Sequence, residues 1–198
     1  MYKLYTILLT LLLLANQGFA QQASTGEKQN QEASRKSYTA VKAGISSTNF
    51  RGEVEGASAQ VGAHAGFYAL YMESQYFGIQ PEIQYSLQGA DIEQGHLLMH
   101  YVVVPVMFKF FPGPAISLQA GPYAGFLLSS EVESDNGPSQ YTGKGQDFGF
   151  AYGLSFGNEG KLTVSARHHV GLSNLASKAG NVKHQVFQVS FGVCISKK

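Results

Sequence analysis

Residues 77–88 read FGIQPEIQYSLQ. Phe77, Ile79, Pro81, Ile83, Tyr85 and Leu87 take one set of alternate positions. Gly78, Gln80, Glu82, Gln84, Ser86 and Gln88 take the other. Successive side chains of a strand point to opposite faces, so the stretch predicts a strand with one apolar and one polar face. It is longer than the usual strand of about five or six residues. It is long enough for the roughly 9–11 tilted residues with which a strand crosses a bilayer. In a soluble barrel the apolar face points inward. In a membrane barrel it meets lipid, and the polar face lines the lumen.

Outward from this stretch, seven more segments alternate: residues 38–47, 59–72, 97–111, 116–128, 147–157, 161–172 and 184–195. In the last, Phe187, Val189, Phe191, Val193 and Ile195 oppose Val186, Gln188, Ser190, Gly192 and Cys194. Segment 97–111 alternates least, with Val102, Val104 and Val106 against Val103 and Met107, and reads as a strand buried on both sides. Pro81, Pro105 and Pro122 fall in mid-segment, where each demands a bulge or costs a ladder bond. Short connections at 73–75, 112–114 and 158–160 alternate with longer ones, which reach to about residue 58 and cover 89–96, 129–146 and 173–183. Short turns at one end and long loops at the other mark an outer-membrane barrel. The expected fold is all-β: an eight-stranded antiparallel up-and-down transmembrane β-barrel over residues 38–196.

The polar faces decide which side is outside. They carry Lys42, Glu82, Lys109, Asp147 and Arg167 among glycine, serine and glutamine. A solvated surface would be dense in lysine and glutamate. Small residues with a few charges of both signs suit a narrow interior instead. Inverting the faces would place Phe67, Tyr85, Phe108, Phe126, Phe150 and Phe187 inside an eight-stranded barrel, whose interior is just wide enough for ordinary side chains. On the apolar faces, Tyr71, Phe77, Phe110 and Phe156 fall at the turn end, and Tyr85, Phe126 and Phe148 at the loop end, as interfacial girdles should.

Composition agrees. The 198 residues carry a formal net charge of +1, which gives nucleic acid no field to meet. The chain has 23 glycines, 11 tyrosines and 13 phenylalanines, which suits a sheet better than helices. Cys194 is the lone cysteine, so no internal disulfide is expected. Lys3, the apolar run 7–15 and Gly18-Phe19-Ala20 read as a signal peptide over residues 1–20, cleaved after Ala20. The run is short for a membrane helix, which needs about 20 residues. Residues 21–37 are polar, lack aromatics, and read as a disordered leader. Export and an outer-membrane location follow, with outer-membrane lipids, lipopolysaccharide and the barrel assembly machinery as expected partners.

Lys42, Glu82, Lys109, Asp147 and Arg167 are the candidate site: a lumenal charge network plugging the barrel. Open aqueous channels belong to barrels of about 16–18 strands. His168 and His169 are strand neighbours that point apart and cannot share a metal. No acid, base and nucleophile converge on a serine such as Ser173, so neither enzyme activity, cofactor nor metal is expected. A lipid-modifying barrel enzyme is the minor alternative. Glu53, Glu55, Asp91, Glu93, Glu131, Glu133 and Asp135 collect in the long loops without calcium-ligand spacing. The expected role is structural or one of binding and assembly; for the loops, whose acids otherwise read as solvated surface, a protein or glycan is the functional candidate, because loops on a rigid scaffold carry function.

Gly78-Ile79-Gln80-Pro81-Glu82-Ile83-Gln84-Tyr85-Ser86, Val104-Pro105-Val106 with Lys109, the run 119–125 (QAGPYAG), and Ser165-Ala166-Arg167 with Gly171-Leu172 together resemble the PorT-like outer-membrane β-barrel family of the Bacteroidota. The resemblance implies the same barrel over about residues 38–195 and accommodates the mid-strand prolines. It also implies a second functional reading, an accessory component of protein secretion across the outer membrane. Val103 stands where that family commonly has an acidic residue.

Overall fold

The computed structural model describes residues 36–51, 58–92, 95–133, 139–140, 145–173 and 183–198. The strands are β1 (Ser37–Arg51), β2 (Ser58–Met72), β3 (Phe77–Ile92), β4 (Gly95–Gly113), β5 (Ile116–Glu133), β6 (Ser139–Gln140), β7 (Gln146–Gly157), β8 (Leu162–Gly171) and β9 (Lys183–Lys197). All pairings are antiparallel, and all join strands adjacent in the chain apart from β5 with β7 and the closing pair β1 with β9. Because β4 also pairs with β5, eight long strands close into a barrel; β6 is a two-residue addition to the outer part of β5. Ser37 and Lys198 exchange both backbone N–H···O bonds, each 2.9 Å, so the two ends seal the seam.

The alternation has the expected sense. Phe150, Phe187 and Phe191 are 45%, 50% and 57% exposed, while Glu82 and Arg167 are 4% and 3% exposed. The apolar faces look outward and the polar faces look toward the axis. At the turn end Tyr71, Phe77, Phe110 and Phe156 face outward, and at the loop end Tyr85 and Phe148 do the same. Burying this outward surface in hydrocarbon is worth roughly 25 cal/mol per Å², which is why such a chain needs a membrane as its solvent.

Three details differ from the sequence expectation. First, residues 89–96 are not mainly a loop: β3 runs on to Ile92 and β4 starts at Gly95. With β5, these strands have 16, 19 and 18 residues, against 12 and 10 for β7 and β8. One side of the wall therefore rises higher than the other. Second, β4 is not covered on both faces by protein. Tyr101, Val103 and Met107 face the lumen, whereas Phe108 and Phe110 face outward. Third, no register shift accompanies the prolines. Pairing is instead interrupted for two residues beside each: β2–β3 beside Pro81, β3–β4 beside Pro105, and β4–β5 beside Pro122. Each ring lacks the N–H that its ladder would use, and the same register resumes beyond the gap.

The short turns are tightly held. The Ser74 hydroxyl accepts the N–H groups of Tyr76 (3.2 Å) and Phe77 (3.1 Å). Gly157 ends β7 with φ +120°, a conformation open to glycine but costly for a residue with a Cβ. The Asn158 side chain then accepts the Gly160 N–H at 2.9 Å, and Lys161 N–H donates to the Asn158 carbonyl.

Candidate functional site: the closed lumen

The lumen is layered. At the turn end Ala40, Tyr68, Leu70 and Phe111 form a buried apolar plug, with Tyr38 and Met72 packed against it. Nearer the loops, Met99, Tyr101, Val103, Met107, Tyr123 and Ala151 form a second apolar cluster. These inward-facing apolar groups were hidden in sequence because β2 and β4 carry apolar residues on both alternation sets near these levels. The charged layer lies between the clusters.

Glu82 sits at its centre, with its side chain fully buried. Arg167, from the opposite wall on β8, donates Nη1 to Oε2 and Nη2 to Oε1, each at 2.8 Å. This two-pronged geometry is the strong form of a carboxylate–guanidinium pair. Lys42 Nζ on β1 donates to Oε2, and Gln80 Nε2 donates to Oε1 at 2.7 Å. Arg167 Nη2 also donates to Gln119 Oε1 at 2.7 Å. The Glu82 carboxylate and its Arg167 partner thus tie together β1, β3, β5 and β8 across the barrel. The spacing follows from the strand period: Gln80 and Glu82 are two apart and share the inner face.

Of the five sequence candidates, the structure brings Lys42, Glu82 and Arg167 into one cluster. Lys109 pairs instead with Glu159, an acid in the β7–β8 turn, and its ammonium lies 5.5 Å from the Phe111 ring centroid. Asp147 lies in the outer layer, where its Oδ2 accepts the Tyr123 hydroxyl at 2.9 Å. Gln80, Gln119, Tyr123 and Glu159 were not singled out from sequence as members of this site. For Gln80 the shared parity with Glu82 was the available signal. For Glu159 there was none, because only the Gly157–Asn158 turn geometry swings it under the barrel.

Packing explains the glycines on this face. A Cβ on Gly149 would lie 2.5 Å from the Tyr123 ring, and one on Gly192 would lie 2.6 Å from Thr163 Oγ1 and 3.0 Å from Tyr68 Oη. These positions give up side chains so that tyrosines can cross the lumen. His64 Nε2 meets Ser190 Oγ at 2.7 Å. His169 faces inward, edge-on to Tyr123 at 5.1 Å between centroids, whereas His168 lies on the other face of the wall against the exposed Tyr152, with Nδ1 2.9 Å from its hydroxyl. The Ser173 hydroxyl accepts the Phe148 N–H at 2.9 Å. Among the described residues no group of three or more His, Cys, Asp and Glu side chains is placed to hold a metal.

A closed antiparallel barrel with a greasy exterior and a filled polar lumen is an integral outer-membrane β-barrel protein. The chain belongs to the outer membrane protein beta-barrel domain family, whose model matches residues 19–177. No curated protein sequence matches it. Among solved structures it is similar in fold to Ail, the attachment invasion locus protein of Yersinia pestis, with TM-score 0.54 and 14% identity over 81% of this chain and 99% of that one. It is also similar to Neisserial surface protein A, with TM-score 0.57 and 11% identity over 78% and 96% of the two chains. At such identities the likeness concerns the fold.

Proposed function

We propose that this protein is a rigid, plugged outer-membrane barrel with a structural or binding role, presenting its loop end to a protein or glycan partner. The single observation that carries this reading is the Glu82 cluster, which crosses the lumen at mid-height through Lys42 and Arg167. A barrel so filled is a scaffold rather than a general pore, and its taller wall of β3, β4 and β5 offers the raised surface. The role is non-enzymatic. Lipopolysaccharide surrounds the barrel, the assembly machinery inserts it, and a signal peptide cleaved after Ala20 exports it. Mass spectrometry of the mature N-terminus checks the cleavage.

The loop role is tested by cells displaying the protein with residues 134–138 and 141–144 replaced by a glycine-serine linker. Binding to glycan arrays and to surface proteins should fall while the amount of folded barrel stays constant. Unchanged binding removes the reading. The resemblance at residues 78–86 and 104–109 supports a second reading, an accessory part in secretion across the outer membrane. A deletion strain that secretes its surface proteins normally ends that one.

A further inference from the structure

We propose that the lower half of the lumen is a binding site for one small monatomic anion such as chloride, held between Lys42, Lys109 and Arg167. These three cations line one small cavity below the Glu82 layer, together with the hydroxyl residues Ser155, Thr163 and Ser165. The cavity has room for about one water-sized occupant. All three cations are at least 95% buried.

The charge count favours such a partner. Among the described residues, the carboxylates in contact with these cations are Glu82, on Lys42 and Arg167, and Glu159, on Lys109. Three positive charges therefore face two negative ones. The next lumenal acid, Asp147, lines a separate outer cavity with Gln84, Gln188 and Tyr123. The nearby His64 supplies no negative charge. An unbalanced charge in a low-dielectric interior is costly unless paired. Arg167 spends both terminal nitrogens on Glu82 and Gln119, while its buried Nε has no hydrogen-bond partner among the described residues. A single anion in the cavity supplies the missing charge. The hydroxyls around it are donors as well as acceptors. A polyatomic anion such as phosphate exceeds the room available.

Bromide is the probe. Folded protein crystallised in sodium bromide, with data collected at the bromine edge, should show an anomalous peak in contact with the Lys42, Lys109 and Arg167 nitrogens. Full exchange into bromide with no peak in the lower lumen overturns the proposal. Unfolding by urea gives a second measurement, with chloride replacing the bulkier isethionate at constant ionic strength. Stabilisation should saturate below about 0.1 M chloride, with the unfolding constant lowered by roughly tenfold where chloride is ten times its Kd. Lys109→Met should abolish both the peak and the chloride dependence. A dependence that rises without saturation into the molar range, or one unchanged in Lys109→Met, marks an adventitious ion only and equally overturns the proposal. If the variant fails to fold, the wild-type anomalous map decides alone.

Discussion

Glu82 is the residue on which the interior turns. Removing it leaves Lys42 and Arg167 buried together without a carboxylate, and stranding buried charge costs about 3–5 kcal/mol. Glu82→Ala should therefore lower stability by that amount in urea unfolding of the detergent-folded barrel. Replacing Glu82, Lys42 and Arg167 together with methionine should recover most of the loss, because a packed apolar layer needs no pairing. A triple variant as unstable as Glu82→Ala would show that the cluster contributes more than charge balance. Glu159→Ala should cost less, about 1–3 kcal/mol, since its side chain is 12% exposed and gives up less by losing its partner. Five charges on the inner face were legible from parity alone. Their partners were not, since Lys109 meets a turn acid rather than Glu82 on the neighbouring strand.

At the scale of the strand, alternation is a statement about two solvents. An outward position on β7 or β9 faces hydrocarbon, so Phe150→Arg or Phe187→Arg should destabilise by about 2–4 kcal/mol at the midplane. Urea unfolding in lipid vesicles measures this, and a change below about 0.5 kcal/mol would place these rings away from lipid. The β7–β8 turn makes a sharper demand. Gly157→Val forces a Cβ to within 2.3 Å of the Leu162 carbonyl at positive φ. It should destabilise the barrel and weaken the Lys109–Glu159 pair, so that a subsequent Glu159→Ala costs little more. Strand positions were readable to within a few residues because a period of two leaves little latitude. Residues 89–96 carry the polar, glycine-containing composition of a loop, which strands rising above the membrane into water share, so composition does not separate the two.

For the whole molecule, closure sets the behaviour. Every strand of the described barrel wall is paired on both sides, so unfolding must break the ring at once. The folded protein should run at a different mobility from the boiled protein in a detergent gel, and identical mobilities would rule out a stable barrel. What the sequence determined by itself was the strand count, the antiparallel path and the face each residue takes. Those follow from local side-chain parity and from the need to satisfy every backbone group in lipid. Only the tertiary structure decided which charges meet. Parity says that Glu82 and Arg167 both point inward, but 85 residues separate them, and their contact depends on the tilt and stagger with which eight strands close. The same closure brings Lys42, Lys109 and Arg167 from three strands around one cavity, a juxtaposition that no single stretch of chain contains.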